Sequence, residues 1–122
     1  MLIKKKSKIK KILLIDKNGF FAKNFIKHLK NHKLYLMGRK DPLNKFNLKK
    51  MDIIINCASD INNEKLMYQN NTEFVYHLIE KYIKQKSRAK IIHFGSASEY
   101  GINNYPSSEN DLVKPETVYG GT

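Results

Sequence analysis

The chain has 122 residues, of which 41% are hydrophobic, 28% charged and 11% aromatic, which excludes a disordered or collagen-like protein. Its one cysteine excludes a disulfide framework and indicates a reducing compartment. No apolar run approaches the roughly 20 residues of a membrane helix. We therefore expect a cytoplasmic protein with no membrane partner.

The net charge of 23 − 11 = +12 is concentrated in the first half of the chain. Lysine, isoleucine and asparagine are abundant together, as in proteins encoded by A/T-rich genes, so we interpret most lysines as solvated. The alternative is a surface that attracts phosphate groups. Nucleic-acid binding is the least favoured reading, because the lysines are not interleaved with aromatic residues, and no nucleic-acid partner is expected.

Four short, β-branched apolar runs predict strands that are buried on both faces, at residues 12–15, 34–37, 53–55 and 91–94. Between them, apolar residues at helical spacing predict helices over residues 20–30 and 64–85. In the first helix the predicted core stripe is Phe21, Phe25 and Leu29, flanked by Ala22 and Ile26. Residues 40–50 predict at most a brief helix, and the chain after Gly101 is expected to be a loop until a helix begins near Tyr119.

Strands that alternate with helices are typical of an α/β fold with a parallel sheet. Ligands of such sheets bind beyond the carboxyl ends of the strands. Each predicted strand ends in small or polar residues, at 16–19, 38–40, 56–59 and 96–98. We expect these four stretches to form a single crevice.

Four segments in order resemble the extended short-chain dehydrogenase/reductase family, the NAD(P)-dependent sugar-nucleotide epimerases and dehydratases. They are KILLIDKNGFFAKNFIKHL (11–29), MDIIINCAS (51–59), KIIHFGSASEYG (90–101) and PSSENDLVKPETVYGGT (106–122). The resemblance implies a Rossmann-like parallel sheet with flanking helices, incomplete at about four strands. Residues 1–122 would be a partial NAD(P)-binding domain, with the carboxyl-terminal substrate domain absent.

The resemblance also assigns site residues. Ser96 and Tyr119 would be catalytic, with the activating lysine four residues after Tyr119, at position 123. The chain as given is therefore expected to be inactive. No metal ligands are implied. Cofactor-binding positions would be Asp16, Asn18, Gly19, Phe20, Phe21, Arg39, Cys57, Ala58 and Asn71. The cofactor would be NAD or NADP, with NADP favoured because Arg39 and Lys40 follow the second strand and no carboxylate lies between that strand and Asp41.

One residue departs from the family pattern. Asp16 stands where the family has its first glycine, and a carboxylate there lies beside the place where cofactor phosphates are expected. Two functions stay open: the amino-terminal part of a nucleotide-sugar epimerase, dehydratase or reductase, or a non-catalytic Rossmann-like module. The expected partners are a nucleotide-sugar substrate in the full-length form and a second copy that contacts the helix over residues 64–85.

Overall fold

Four parallel strands form one sheet in the computed structural model, which describes residues 8–122. The strands are β1 (Lys11–Ile15), β2 (Lys33–Met37), β3 (Ile53–Asn56) and β4 (Lys90–His93), and their order across the sheet is β2-β1-β3-β4. In the register, Leu13 of β1 pairs with Tyr35 of β2 and Ile54 of β3. The predicted Rossmann-like α/β class is confirmed.

Helices connect the strands. They are α1 (Phe20–His28), α2 (Glu64–Met67), α3 (Phe74–Lys84) and the single turn α4 (Val118–Gly121). A π-helical turn, Tyr68–Glu73, joins α2 to α3, so the helix predicted over residues 64–85 is continuous but locally widened. Short 3-10 turns stand at Leu43–Lys45, Leu48–Lys50 and Ala97–Tyr100. Within residues 8–122, no helix has the length and apolarity that crossing a bilayer requires.

The two central strands carry the core on both faces of the sheet. Leu13 and Leu14 of β1 are fully buried and, being adjacent, point to opposite faces. On one face Leu13 packs with Ile54 and with Leu78 of α3. On the other face Leu14 packs with Ile55, Cys57 and Ala22 of α1. The expectation of strands buried on both faces is therefore confirmed for β1 and β3.

That expectation is wrong for β2 and β4, which are the edge strands. Leu36 in β2 and Ile92 in β4 are each 38% exposed. Among residues 8–122 no strand pairs with the outer edge of β4, and its side chains are mostly exposed. An apolar run cannot by itself distinguish a central strand from an edge strand, because both use the same β-branched residues.

The predicted core stripe of α1 is also partly wrong. The fully buried residue is Ala22, whereas Phe25 and Leu29 are only partly buried and Phe21 is 54% exposed. A small side chain allows the helix to approach the sheet closely. The Phe21 ring instead stacks on Phe94 beyond the end of β4, with ring centroids 5.3 Å apart.

Burial suppresses the chemistry of Cys57. The side chain is 9% exposed within the core beneath α1. Desolvation, with a smaller contribution from the charge of Asp16, raises the pKa of its thiol to about 11. Because the thiolate is the nucleophile, the protonated thiol of Cys57 is unreactive at neutral pH. The resemblance gives this residue no reactive role.

The core predicts the stability of two leucine variants. Leu78→Ala removes a side chain that is 1% exposed, and should lower the free energy of unfolding by ~2–5 kcal/mol in urea denaturation. Leu112→Ala, the matched control, alters a leucine that is 79% exposed and should change stability by less than about 0.5 kcal/mol. Equal losses for both variants would contradict the core described above.

Candidate functional site

The ends of β1 and β2 border a cleft of about 650 Å³, which we call the β1–β2 cleft. Its lining residues are Asp16, Lys17, Asn18, Gly19, Gly38, Arg39, Lys40 and Asp41. The nine-residue helix α1 begins at Phe20, beside the cleft, and Gly19 gives its first turn no side-chain cap. The positive end of the helix dipole and the first N–H groups of such a helix favour a bound anion.

Asp16 adopts the backbone conformation for which glycine is usually chosen. Its φ is 64°, in the left-handed region, which aspartate enters more readily than most residues. The residue is 5% exposed. A Cβ atom at Gly19 would lie 2.7 Å from Asp16 Oδ2, so the carboxylate lies directly against this glycine. Gly19 thus makes room for the Asp16 side chain at the start of α1.

Arg39 neutralises Asp16 and connects three strand ends. Its Nε and Nη2 atoms donate to Asp16 Oδ1 and Oδ2 at 3.2 and 3.3 Å, and Nη2 also donates to the Ser59 carbonyl oxygen at 2.9 Å. Its Nη1 lies 3.7 Å from Asp60 Oδ2. We call Asp16, Arg39, Asp60 and the Ser59 carbonyl the arginine clasp.

The charges of the clasp stabilise one another. The hydrogen bond to Asp16 is the main cause of a raised pKa for Arg39. The pKa of Asp60 is lowered chiefly by a hydrogen bond from the backbone N–H of Asn63, with further contributions that include the N–H of Asn62 and the Arg39 charge. Both pKa shifts favour the charged forms of Arg39 and Asp60. The formal charges of Arg39, Asp16 and Asp60 sum to one negative charge between the ends of β1, β2 and β3.

A second space, the β3–β4 cavity, has a volume of about 170 Å³. Its lining residues are Ala58, Ser59, Asn71, His93, Phe94, Gly95, Ser96, Glu99, Tyr119, Gly120 and Thr122. The structure therefore brings Ser96 and Tyr119 together, although 22 residues of chain separate them.

Local hydrogen bonding positions the two hydroxyl residues. Ser96 precedes the 3-10 turn Ala97–Tyr100, and its Oγ atom accepts a hydrogen bond from the Ser98 N–H at 3.2 Å. Its hydroxyl proton thus stays available to an acceptor in the cavity. Tyr119 lies on α4, which approaches this turn so closely that a Cβ at Gly120 would be 2.5 Å from the Ser98 carbonyl oxygen. Gly120 therefore permits the contact that places Tyr119.

Asn71 holds the loop after β3 against α4. Its Oδ1 atom accepts from the Asp60 N–H at 2.8 Å, and its Nδ2 atom donates to the Asp60 carbonyl oxygen at 3.0 Å and to Thr122 Oγ1 at 3.1 Å. It lies within the π-helical turn, a feature that is frequent at functional sites. The structure thus gives Asn71 a positioning role at the cavity wall.

The four stretches that were expected to form one crevice all lie along the carboxyl edge of the sheet. A third, smaller space shares Asp16, Gly38 and Arg39 with the β1–β2 cleft and shares Ala58 and Ser59 with the β3–β4 cavity. The Arg39 guanidinium reaches from Asp16 to Ser59 across the strand ends. The pattern of apolar residues along the chain does not predict side-chain contacts between polar residues that are far apart in sequence.

The predicted cofactor residues are distributed unequally. Asp16, Asn18, Gly19 and Arg39 line the β1–β2 cleft, and Ala58 and Asn71 line the β3–β4 cavity. Phe20 and Phe21 line neither space, and Cys57 packs in the core. Sequence reasoning missed Ser59 and Asp60 as partners of Arg39, and Glu99 in the cavity wall. The only available signal for Ser59 and Asp60 was their position just after a buried strand.

Solved structures of several sugar-nucleotide enzymes share this fold. ADP-L-glycero-D-manno-heptose-6-epimerase of Helicobacter pylori matches 98% of the chain with a TM-score of 0.74 at 20% identity, over 49% of its own length. UDP-glucuronic acid 4-epimerase of Bacillus cereus, solved in complex with NAD, matches 91% of the chain with a TM-score of 0.74 at 20% identity, over 48% of its length. The chain thus spans about half the length of these enzymes.

Sequence comparison gives the family. The dTDP-6-deoxy-L-talose 4-dehydrogenase (NAD(P)(+)) of Kitasatospora kifunensis is 32% identical over 75 residues, which cover 58% of this chain and 24% of that enzyme. The family model described as "NAD dependent epimerase/dehydratase family" matches residues 2–122. The protein therefore belongs to the NAD dependent epimerase/dehydratase family.

Proposed function

We propose that this chain binds a nicotinamide dinucleotide along the carboxyl edge of its sheet, as the cofactor-binding part of an enzyme that epimerises, dehydrates or reduces a nucleotide sugar. The observation that carries the proposal is the placement of both spaces on one edge of a parallel sheet. The β1–β2 cleft lies beside the start of α1, and the β3–β4 cavity contains Ser96 and Tyr119. Family membership supports the same function.

The two spaces along this edge suit different parts of a dinucleotide. The β1–β2 cleft suits the adenosine half, and the amino terminus of α1 suits the diphosphate. The cavity with two hydroxyl side chains then suits the nicotinamide end and the reacting sugar. The bound nicotinamide would supply hydride transfer, and Ser96 and Tyr119 would act on the substrate oxygen that becomes or ceases to be a carbonyl.

The proposed roles of the two hydroxyls differ. The Ser96 hydroxyl donates a hydrogen bond to the substrate oxygen, since its own oxygen already accepts from the Ser98 N–H. The Tyr119 hydroxyl takes or gives the proton of that oxygen. A tyrosine does this near neutral pH only beside a cation, a role that the family resemblance assigns to a lysine four residues after the tyrosine.

The proposed preference for NADP rests on the basic turn after β2. Lys17 and Lys40 line the β1–β2 cleft together with Arg39. The Asp41 carboxylate accepts a hydrogen bond from the Gly38 N–H at 2.8 Å and lies 3.7 Å from Lys45. The two lysines supply positive charge that suits a 2′-phosphate. Arg39 differs from them, because the arginine clasp already engages its guanidinium.

A non-catalytic Rossmann-like module is the second candidate function. The buried carboxylate of Asp16 favours it, because this negative charge lies at the start of α1, where cofactor phosphates would bind. The two candidates differ in one measurable property, the binding of a dinucleotide.

Dinucleotide binding is tested by thermal shift and calorimetric titration of the chain with NAD and with NADP. Ligand at one hundred times its Kd should stabilise the fold by about 2.7 kcal/mol. Gly19→Ala should weaken binding, because its Cβ would lie 2.7 Å from Asp16 Oδ2, whereas Gly121→Ala, whose nearest contact would be 3.9 Å, is the matched control. The absence of a shift with either cofactor at millimolar concentration would favour the non-catalytic module.

The hydroxyl roles are tested in a form of the protein that carries the remaining part of the family fold. Tyr119→Phe and Ser96→Ala should each lower kcat by roughly 10²–10⁴-fold while cofactor binding is kept. Tyr105→Phe, at a tyrosine that is 61% exposed and lines neither space, should leave kcat unchanged. Undiminished turnover by Tyr119→Phe would refute the acid–base role.

We also propose a homodimer contact through the helix over residues 64–85. Apolar side chains of α3 are exposed there, with Tyr76 at 65% and Ile83 at 67%. Sedimentation of the native chain should show a dimer that Ile83→Asp dissociates. The control Ile102→Asp, at an isoleucine that is 80% exposed in the loop after the turn Ala97–Tyr100, should stay dimeric. A native monomer at high concentration would contradict this contact.

A further inference from the structure

The arginine clasp already engages the donors of Arg39, the arginine among the lining residues of the β1–β2 cleft. An arginine near the end of the second strand is suited to hold the 2′-phosphate of NADP, because its fork of N–H donors matches phosphate oxygens. Here Nε and Nη2 already donate to the two oxygens of Asp16, and Nη2 also donates to the Ser59 carbonyl. Nη1 faces the Asp60 carboxylate at 3.7 Å.

Burial makes this pairing hard to break. The Asp16 side chain is 6% exposed and the Arg39 side chain 52% exposed. If Arg39 turned toward a ligand, the carboxylate would be left buried without its cation, which is more costly than the loss of a surface ion pair. A 2′-phosphate entering the cleft would therefore compete with Asp16 for the same donors.

We propose that Asp16 determines cofactor choice in this cleft by withholding the Arg39 guanidinium from a 2′-phosphate. In the native chain the 2′-phosphate gains contacts only from lysines such as Lys17 and Lys40. Without the Asp16 charge, only the Ser59 carbonyl and the longer Asp60 contact hold Arg39. The guanidinium can then turn toward a 2′-phosphate and increase the selectivity for NADP beyond that given by the lysines. This inference rests on the proposed function, since it requires that the cleft binds a dinucleotide.

The backbone at position 16 allows the charge to be removed without disturbing the turn. Asparagine has nearly the same shape as aspartate and also enters the left-handed region, and glycine does so freely. Asp16→Asn and Asp16→Gly are therefore two independent ways to release Arg39. Circular dichroism and the melting temperature would verify that each variant is folded.

Asp41→Asn is the matched control. It removes one carboxylate from the lining of the same cleft, but Asp41 bonds to Gly38 and Lys45 and forms no hydrogen bond or ion pair with Arg39. If the gain in the Asp16 variants came from general electrostatic attraction, the affinity for NADP would increase in Asp41→Asn as well. The double variant Asp16→Asn with Arg39→Gln tests whether the gain passes through Arg39.

The experiment is a calorimetric titration of each variant of the full chain with NAD and with NADP. Asp16→Asn and Asp16→Gly should raise the affinity for NADP relative to NAD by about tenfold or more, the effect of one charge-assisted contact. Asp41→Asn should change that ratio by less than about twofold, and the double variant should return it to the native value.

Three results would overturn the proposal: an unchanged ratio in both Asp16 variants, an equal gain in Asp41→Asn, or a gain that survives Arg39→Gln. Failure of the proposed function is distinguishable from these results. In that case no variant would bind either dinucleotide, whereas dinucleotide binding with an unchanged ratio would refute the role of Asp16 alone.

Discussion

The contact between Arg39 and Asp16 is the interaction on which the candidate site depends. It connects residues that follow β1 and β2, and through Ser59 and Asp60 it extends to the loop after β3. A carboxylate that is 5% exposed needs such a partner, because an unpaired buried charge strongly opposes folding. One guanidinium thus links the segments that follow three strands.

The same contact borders a smaller space that shares lining residues with both the β1–β2 cleft and the β3–β4 cavity. The strand order β2-β1-β3-β4 places the ends of β2 and β1 on one side of Ser59 and the end of β4 on the other. Asn71, in the π-helical turn, then ties the loop at Asp60 to Thr122 beside Tyr119. The proposed phosphate site and the hydroxyl side chains of Ser96 and Tyr119 therefore lie in neighbouring spaces that one extended ligand could span.

The sequence was sufficient to predict what depends on local pattern. The β-branched runs predicted all four strands, and the polar residues after each run predicted the edge where the site lies. Burial was less predictable, since Ala22 rather than Phe21 packs against the sheet and Ile92 lies in an edge strand. Asp16 was recognised as unusual, but its partner Arg39 is 23 residues away, and only the register of β1 and β2 brings them together.

A crystal structure of the native chain with bound NAD tests the central claim most directly. It should show the adenosine half in the β1–β2 cleft, the diphosphate at the start of α1, and Arg39 still hydrogen-bonded to both oxygens of Asp16. A dinucleotide bound away from this edge would contradict the account. So would an Arg39 side chain that has left Asp16 to contact the cofactor.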